Sequence, residues 1–128
     1  MLALILAAAL TGGSCANTSI LSAGVQSATA NGGLTHYTIA ITVQNQSDIR
    51  QPGNLLQSLD VFQNRQRVDK IGLQPLGPKQ SQKVTYSFDR AADAGVGTTH
   101  LTFTLDFNGG SGNNVDCHAG NQTFKITV

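Results

Sequence analysis

The stretch Thr98 to Asn108, TTHLTFTLDFN, limits what this chain can fold into more than any other. Leu101, Phe103, Leu105 and Phe107 fall on one side of an extended backbone, and His100, Thr102, Thr104 and Asp106 on the other. Side chains of a strand alternate between faces, so strict alternation marks a strand with one dry and one wet face. Such a strand is stable only when a second layer covers its dry face, and the rest of the chain must supply that layer.

The same period recurs in both directions. Ile20 to Ala28 reads as a weaker strand with Leu21, Ala23 and Val25 inward, followed by the turn signal Ala30-Asn31-Gly32-Gly33. His36 to Asn45 alternates cleanly, with Tyr37, Ile39, Ile41 and Val43 inward. Leu55 to Gln63, LLQSLDVFQ, is apolar on both faces around Asp60, so its register stays open. Asn64-Arg65-Gln66-Arg67 is the best hairpin turn, and Val68 to Leu73 reads as an edge strand protected by Asp69 and Lys70. Lys83 to Asp89 puts Val84, Tyr86 and Phe88 inside, and Gln122 to Val128 does the same with Phe124, Ile126 and Val128. About seven short strands separated by polar loops, with no helix-period segment, predict an all-β fold. An antiparallel sandwich of two facing sheets is expected over a closed barrel, because long loops separate the strongest strands.

Composition excludes several functions. The chain has 128 residues, enough for one domain, and 40% of them are apolar. With 8 Lys and Arg against 7 Asp and no Glu, the net charge is +1, so no basic field for nucleic acid exists. Aromatics at 5% and the lack of Trp leave little for base stacking.

At the amino terminus, Leu2 to Leu10 is an apolar run followed by small residues. Its length is far short of the roughly 20 residues that cross a bilayer, but it suits the core of a secretory signal. Two processing routes are open. Residues 1–16 form a signal peptide cut after Ser14-Cys15-Ala16, leaving a domain over residues 17–128. Alternatively the signal ends before Cys15, and Leu10-Thr11-Gly12-Gly13-Ser14-Cys15 acts as a lipobox with Cys15 lipidated. A lipid anchor at Cys15 is the one membrane contact expected. If the segment is retained, a Cys15–Cys117 disulfide could pin the amino terminus to the last loop. A secreted, periplasmic or envelope-associated location follows from either route.

Residues that could carry chemistry are few. Asp116, Cys117 and His118 are three adjacent candidate metal ligands, with His36 or His100 to complete a set. Adjacent residues of an extended chain point apart, so a solvated loop with no cofactor is the plainer expectation. Asp106 to Asn114 places oxygen ligands among glycines but lacks the acid spacing and closing Glu of an EF-hand. No Gly-x-Ser-x-Gly elbow, phosphate-binding glycine loop or His-Glu-x-x-His occurs, so catalysis is not expected.

The order of landmarks is more telling. An alternating strand ends in Asn45-Gln46-Ser47, and Leu76-Gly77-Pro78-Lys79-Gln80-Ser81 leads into Lys83 to Phe88. Gly97-Thr98-Thr99-His100-Leu101 opens a strand ending in Asp106, with Asp116 and Asn121 before the last strand. From about Ile20 to Val128 this resembles the cell-adhesion-related domain, CARDB, of bacterial exported proteins. The resemblance implies an immunoglobulin-like sandwich and an adhesion- or scaffold-like role. Ser47 and Lys79 stand where that family usually has Gly, so those turns either change type or bear strain. The expected function is a non-enzymatic exported module contacting a protein or glycan through the end loops Gln46–Asn54, Arg90–Gly97 and Gly109–Gly120. The alternatives are a periplasmic metal-binding protein using residues 116–118, and a structural spacer or assembly subunit offering the edge Val68–Leu73 for strand addition.

Overall fold

The computed structural model describes residues 15–91, 98–109, 116–117 and 123–128. It has seven strands in chain order: β1 (Thr18–Asn31), β2 (Leu34–Asn45), β3 (Leu55–Gln63), β4 (Gln66–Leu73), β5 (Ser81–Ala91), β6 (His100–Gly109) and β7 (Thr123–Thr127). They form a three-stranded sheet, β1-β2-β5, and a four-stranded sheet, β4-β3-β6-β7, with every pairing antiparallel. The alternating faces meet between the sheets, as a two-layer fold requires. Ile39, Ile41 and Val43 of β2 and Leu59, Val61, Leu101, Phe103 and Leu105 of β3 and β6 are all buried. Each such side chain contributes on the order of 1.5–3 kcal/mol by leaving water.

The structure settles the register that β3 left open. Leu55, Leu59 and Val61 face the core, whereas Leu56 is 68% exposed on the outside of the sheet. Leu56, Ser58, Asp60 and Phe62 therefore share the outer face with Thr102, Thr104 and Asp106 of β6. Period 2 allows only one parity inside, and Leu55, Leu59 and Val61 outweigh Leu56 and Phe62, whose parity also carries Ser58 and Asp60.

β1 corrects the sequence reading. Register shifts between Ile20 and Ser22, and again between Val25 and Ser27, add residues that break the simple alternation. The first puts Ile20, not Leu21, on the inner face, and Leu21 is 43% exposed. Val25 pairs with Ile39 on the inner side but is itself exposed.

The two ends of the sandwich differ. At one end lie residues 15–17, the β2–β3 loop, the β4–β5 connection and residues 116–117. At the other lie the β1–β2 turn, the β3–β4 turn and the start of β6. Gly32 and Gly33 make the β1–β2 turn with φ of 59° and 90°, the left-handed values that two-residue hairpins need. Arg90 ties this second end together. Its guanidinium donates to Tyr37 Oη, Thr99 Oγ1 and the Val128 carbonyl, and stacks 4.9 Å from the Tyr37 ring centre.

Candidate functional site

The first end is built around buried polar groups. Thr18, Asn45 and Gln51 are fully buried, and Gln57, Ser58 and Asp116 nearly so. Buried polar groups are expensive unless hydrogen-bonded, so their partners define the local structure. Gln51 Nε2 lies 2.8 Å from Thr18 Oγ1, 3.0 Å from Gln57 Oε1 and 3.1 Å from Asp116 Oδ2. Its Oε1 accepts from Gln57 Nε2 and from the Leu76 amide at 2.7 Å. The Thr18 amide donates to both Asp116 oxygens, at 3.0 and 3.1 Å. One glutamine thus joins β1, β3, the β4–β5 connection and residue 116.

Asn45 holds the neighbouring turns. Its Nδ2 donates to the carbonyls of Ile49 and Gly77, and its Oδ1 accepts from the amides of Asn17 and Ser47 and from Ser47 Oγ. Ser47 needs no left-handed backbone, because its hydroxyl and amide both turn back onto Asn45. Lys79 does need one: its φ is +58°, so it bears the strain that Gly would avoid. Its amide donates to the Ser47 carbonyl and its Nζ to the Gln46 carbonyl.

Cys15 and Cys117 are joined in a disulfide with their Cα atoms 5.6 Å apart. The Cys117 amide also donates to the Ala16 carbonyl at 2.7 Å, and Ala16 is buried. The folded unit therefore includes Cys15 and Ala16. While this bond stands, Cys15 has no sulfur for a lipid and Cys117 has no thiolate for a metal. Asp116 turns its carboxylate to Thr18 and Gln51, and His118 lies outside the described residues. His36 pairs with Asp89 at 2.7 Å on the outer face of the three-stranded sheet, and His100 opens β6 at the opposite end. Among the described residues, no three His, Cys, Asp or Glu side chains converge as a metal group would need. Of the glycine-rich stretch after Asp106, residues 110–115 lie outside the described residues, as do residues 1–14 with the expected signal core.

Of the three loops expected to form one contact surface, Gln46–Asn54 lies at the disulfide end, where β6 also ends at Gly109. The segment after Arg90 leaves from the other. Gln51 and Gln57, which organise the disulfide end, were missed in the sequence. Gln57 carried a signal: it breaks the inward series Leu55, Leu59, Val61 with a polar residue, which must find a partner.

No family profile and no curated protein matches the chain. Among solved structures it is similar to the CARDB domain of a Pyrococcus furiosus protein, determined by NMR, with a TM-score of 0.56 and 16% identity. That match covers 89% of this chain and 94% of the other. A crystal structure of a protein from Archaeoglobus fulgidus has a TM-score of 0.38 and 11% identity, covering 86% and 94% of the two chains. The fold is that of a CARDB-like β-sandwich.

Proposed function

We propose that this chain is a non-enzymatic, exported adhesion-type module that contacts a protein or glycan partner with the loops of its disulfide end. The observation carrying this reading is the network of Asn45, Gln51 and Asp116. It ties the loop Gln46–Asn54 and the turn Gly77–Gln80 to a rigid frame while leaving Asp48, Arg50, Asn54 and Lys79 exposed. A surface already fixed in shape loses less conformational freedom on binding, which favours recognition there. The loop after Arg90 is left out of this surface because it leaves from the opposite end.

The disulfide supports export, since such bonds persist in oxidising compartments. The maturation cut then falls ahead of Cys15. A cut after Ala16 removes one half of the disulfide and the carbonyl that the Cys117 amide needs. Mass spectrometry of the exported protein should find Cys15 present and oxidised.

The contact surface is tested by charge reversal at Asp48 and Arg50, with β4-edge variant Val68→Lys as comparison. Capture from an envelope extract should fail for the loop variant and survive for the edge variant, with both melting like the parent. The reverse pattern would favour recognition by strand addition and end the loop reading.

A further inference from the structure

At the end opposite the disulfide, a hollow of about 400 Å³ is lined by Asn64, Arg65, His100, Thr102 and Lys125. We propose that it binds an oxyanion, a sulfate, phosphate or carboxylate group, together with the adjoining part of the molecule that carries it.

The register brings these residues together. Thr102 lies between Phe62 of β3 and Lys125 of β7, on the outer face of the four-stranded sheet. The β3–β4 turn is fastened to the start of β6 by two hydrogen bonds. The Asn64 amide donates to the His100 carbonyl at 2.9 Å, and the His100 amide donates to Asn64 Oδ1 at 3.2 Å. His100 Nδ1 lies 3.3 Å from Thr127 Oγ1, so the imidazole is braced against β7.

The lining chemistry is one-sided. Lys and Arg side chains offer donors only, and a threonine hydroxyl can donate as well. No carboxylate lines the hollow. The acid on the next rung, Asp60, is buried, accepts from Ser58 Oγ at 2.9 Å and lies 3.7 Å from Arg67. Asp106 is paired with Lys70 at 3.6 Å. Among the described residues, Arg65 and Lys125 have no such acidic partner. In a chain of net charge +1, two cations that no described acid neutralises, beside one hollow, make a local field that attracts anions.

The backbone points the same way. Asn64 and Arg65 both have positive φ, 50° and 75°. Two-residue hairpins of this kind favour Asn-Gly, and the equivalent β1–β2 turn uses two glycines. Here the second position is an arginine held in a conformation that its Cβ disfavours. A strained residue whose side chain lines a cationic hollow is a reason to look for function there.

The test follows amide shifts by NMR in low salt during titration with sulfate, inorganic phosphate, glucuronate and, as an uncharged control, glucose. Shifts should centre on Asn64, Arg65, His100, Thr102 and Lys125 with the anions and be absent with glucose. Glucuronate binding more tightly than acetate, titrated in the same way as a carboxylate without a carrier, shows that the carrier is seated too; equal binding would confine the proposal to a bare anion and overturn its second half. Arg65→Gly relieves the strained backbone, so the variant should fold at least as well while binding weakens about tenfold, the scale of one charge-assisted hydrogen bond. Lys125→Gln should weaken binding similarly. Unchanged affinity in Arg65→Gly, or shifts spread evenly over Lys70, Lys79 and Lys83, overturns the site. The loops at the disulfide end are untouched by these variants, so the result is independent of the partner surface proposed there.

Discussion

Replacing Gln51 with Leu keeps the volume of a fully buried side chain and removes all of its hydrogen bonds. The Leu76 amide loses the Oε1 acceptor at 2.7 Å. Asp116 Oδ2 loses a donor at 3.1 Å, and Gln57 loses both contacts with the Gln51 amide while keeping its bond to the Gln74 carbonyl. A buried group left without its partner costs about 1–3 kcal/mol, and more when it is charged. With the Leu76 amide and the Asp116 carboxylate as the main losses, the variant should be destabilised by roughly 3–5 kcal/mol. That is a large part of the approximately 5–15 kcal/mol that holds a domain together. In urea, where m is about 1–3 kcal/mol/M, the midpoint should fall by roughly 1–5 M with m unchanged. Gln46→Leu, which removes an exposed contact to Ser19 Oγ, should stay within about 0.5 kcal/mol. A loss below about 1 kcal/mol for Gln51→Leu refutes the argument that this network holds the disulfide end, since that is the least cost of one orphaned group.

Three further perturbations probe other parts of the fold. Cys15→Ala with Cys117→Ala opens a link spanning 102 residues; the chain-entropy model gives a loss of about 4–5 kcal/mol, read by denaturant unfolding against the oxidised parent. Lys79→Gly removes the penalty of φ +58° at the expense of an exposed Nζ bond to the Gln46 carbonyl, so stability should rise by up to about 1 kcal/mol, seen as a higher urea midpoint. Burial, and secondarily the charge of Asp69, raises the Tyr86 phenol above its ordinary value of 10.0. Its folded pKa exceeds its unfolded one, so its contribution is intact below pH 10 and is lost as pH rises through the folded value. Tyr86→Phe should flatten the fall in melting temperature above pH 10.

How far the sequence could be read follows from what each feature depends on. Alternation is local, so Ile39, Ile41 and Val43 and the series Leu101, Phe103, Leu105 declared their buried faces without any partner in view. The order of those strands and their turns was enough for the two-sheet architecture. Leu21 misled because a bulge depends on the neighbouring strand, and β2 pairs with Ile20 and then skips to Ser22. The candidate site was less legible. Asp116, Cys117 and His118 stood out as three candidate metal ligands, yet the roles of Asp116 and Cys117 depend on Thr18, Gln51 and Cys15, which are distant in sequence. Which loops share an end, and that Arg65 and Lys125 share a hollow, likewise depend on how strands far apart in the chain are paired. On β2, β5 and β6 the sequence by itself determined which face is dry, because each side chain carries its own affinity for water along a backbone of fixed period. Only the tertiary structure decided which polar groups meet, because a hydrogen bond needs two partners at about 3 Å and the chain folds before they come within reach.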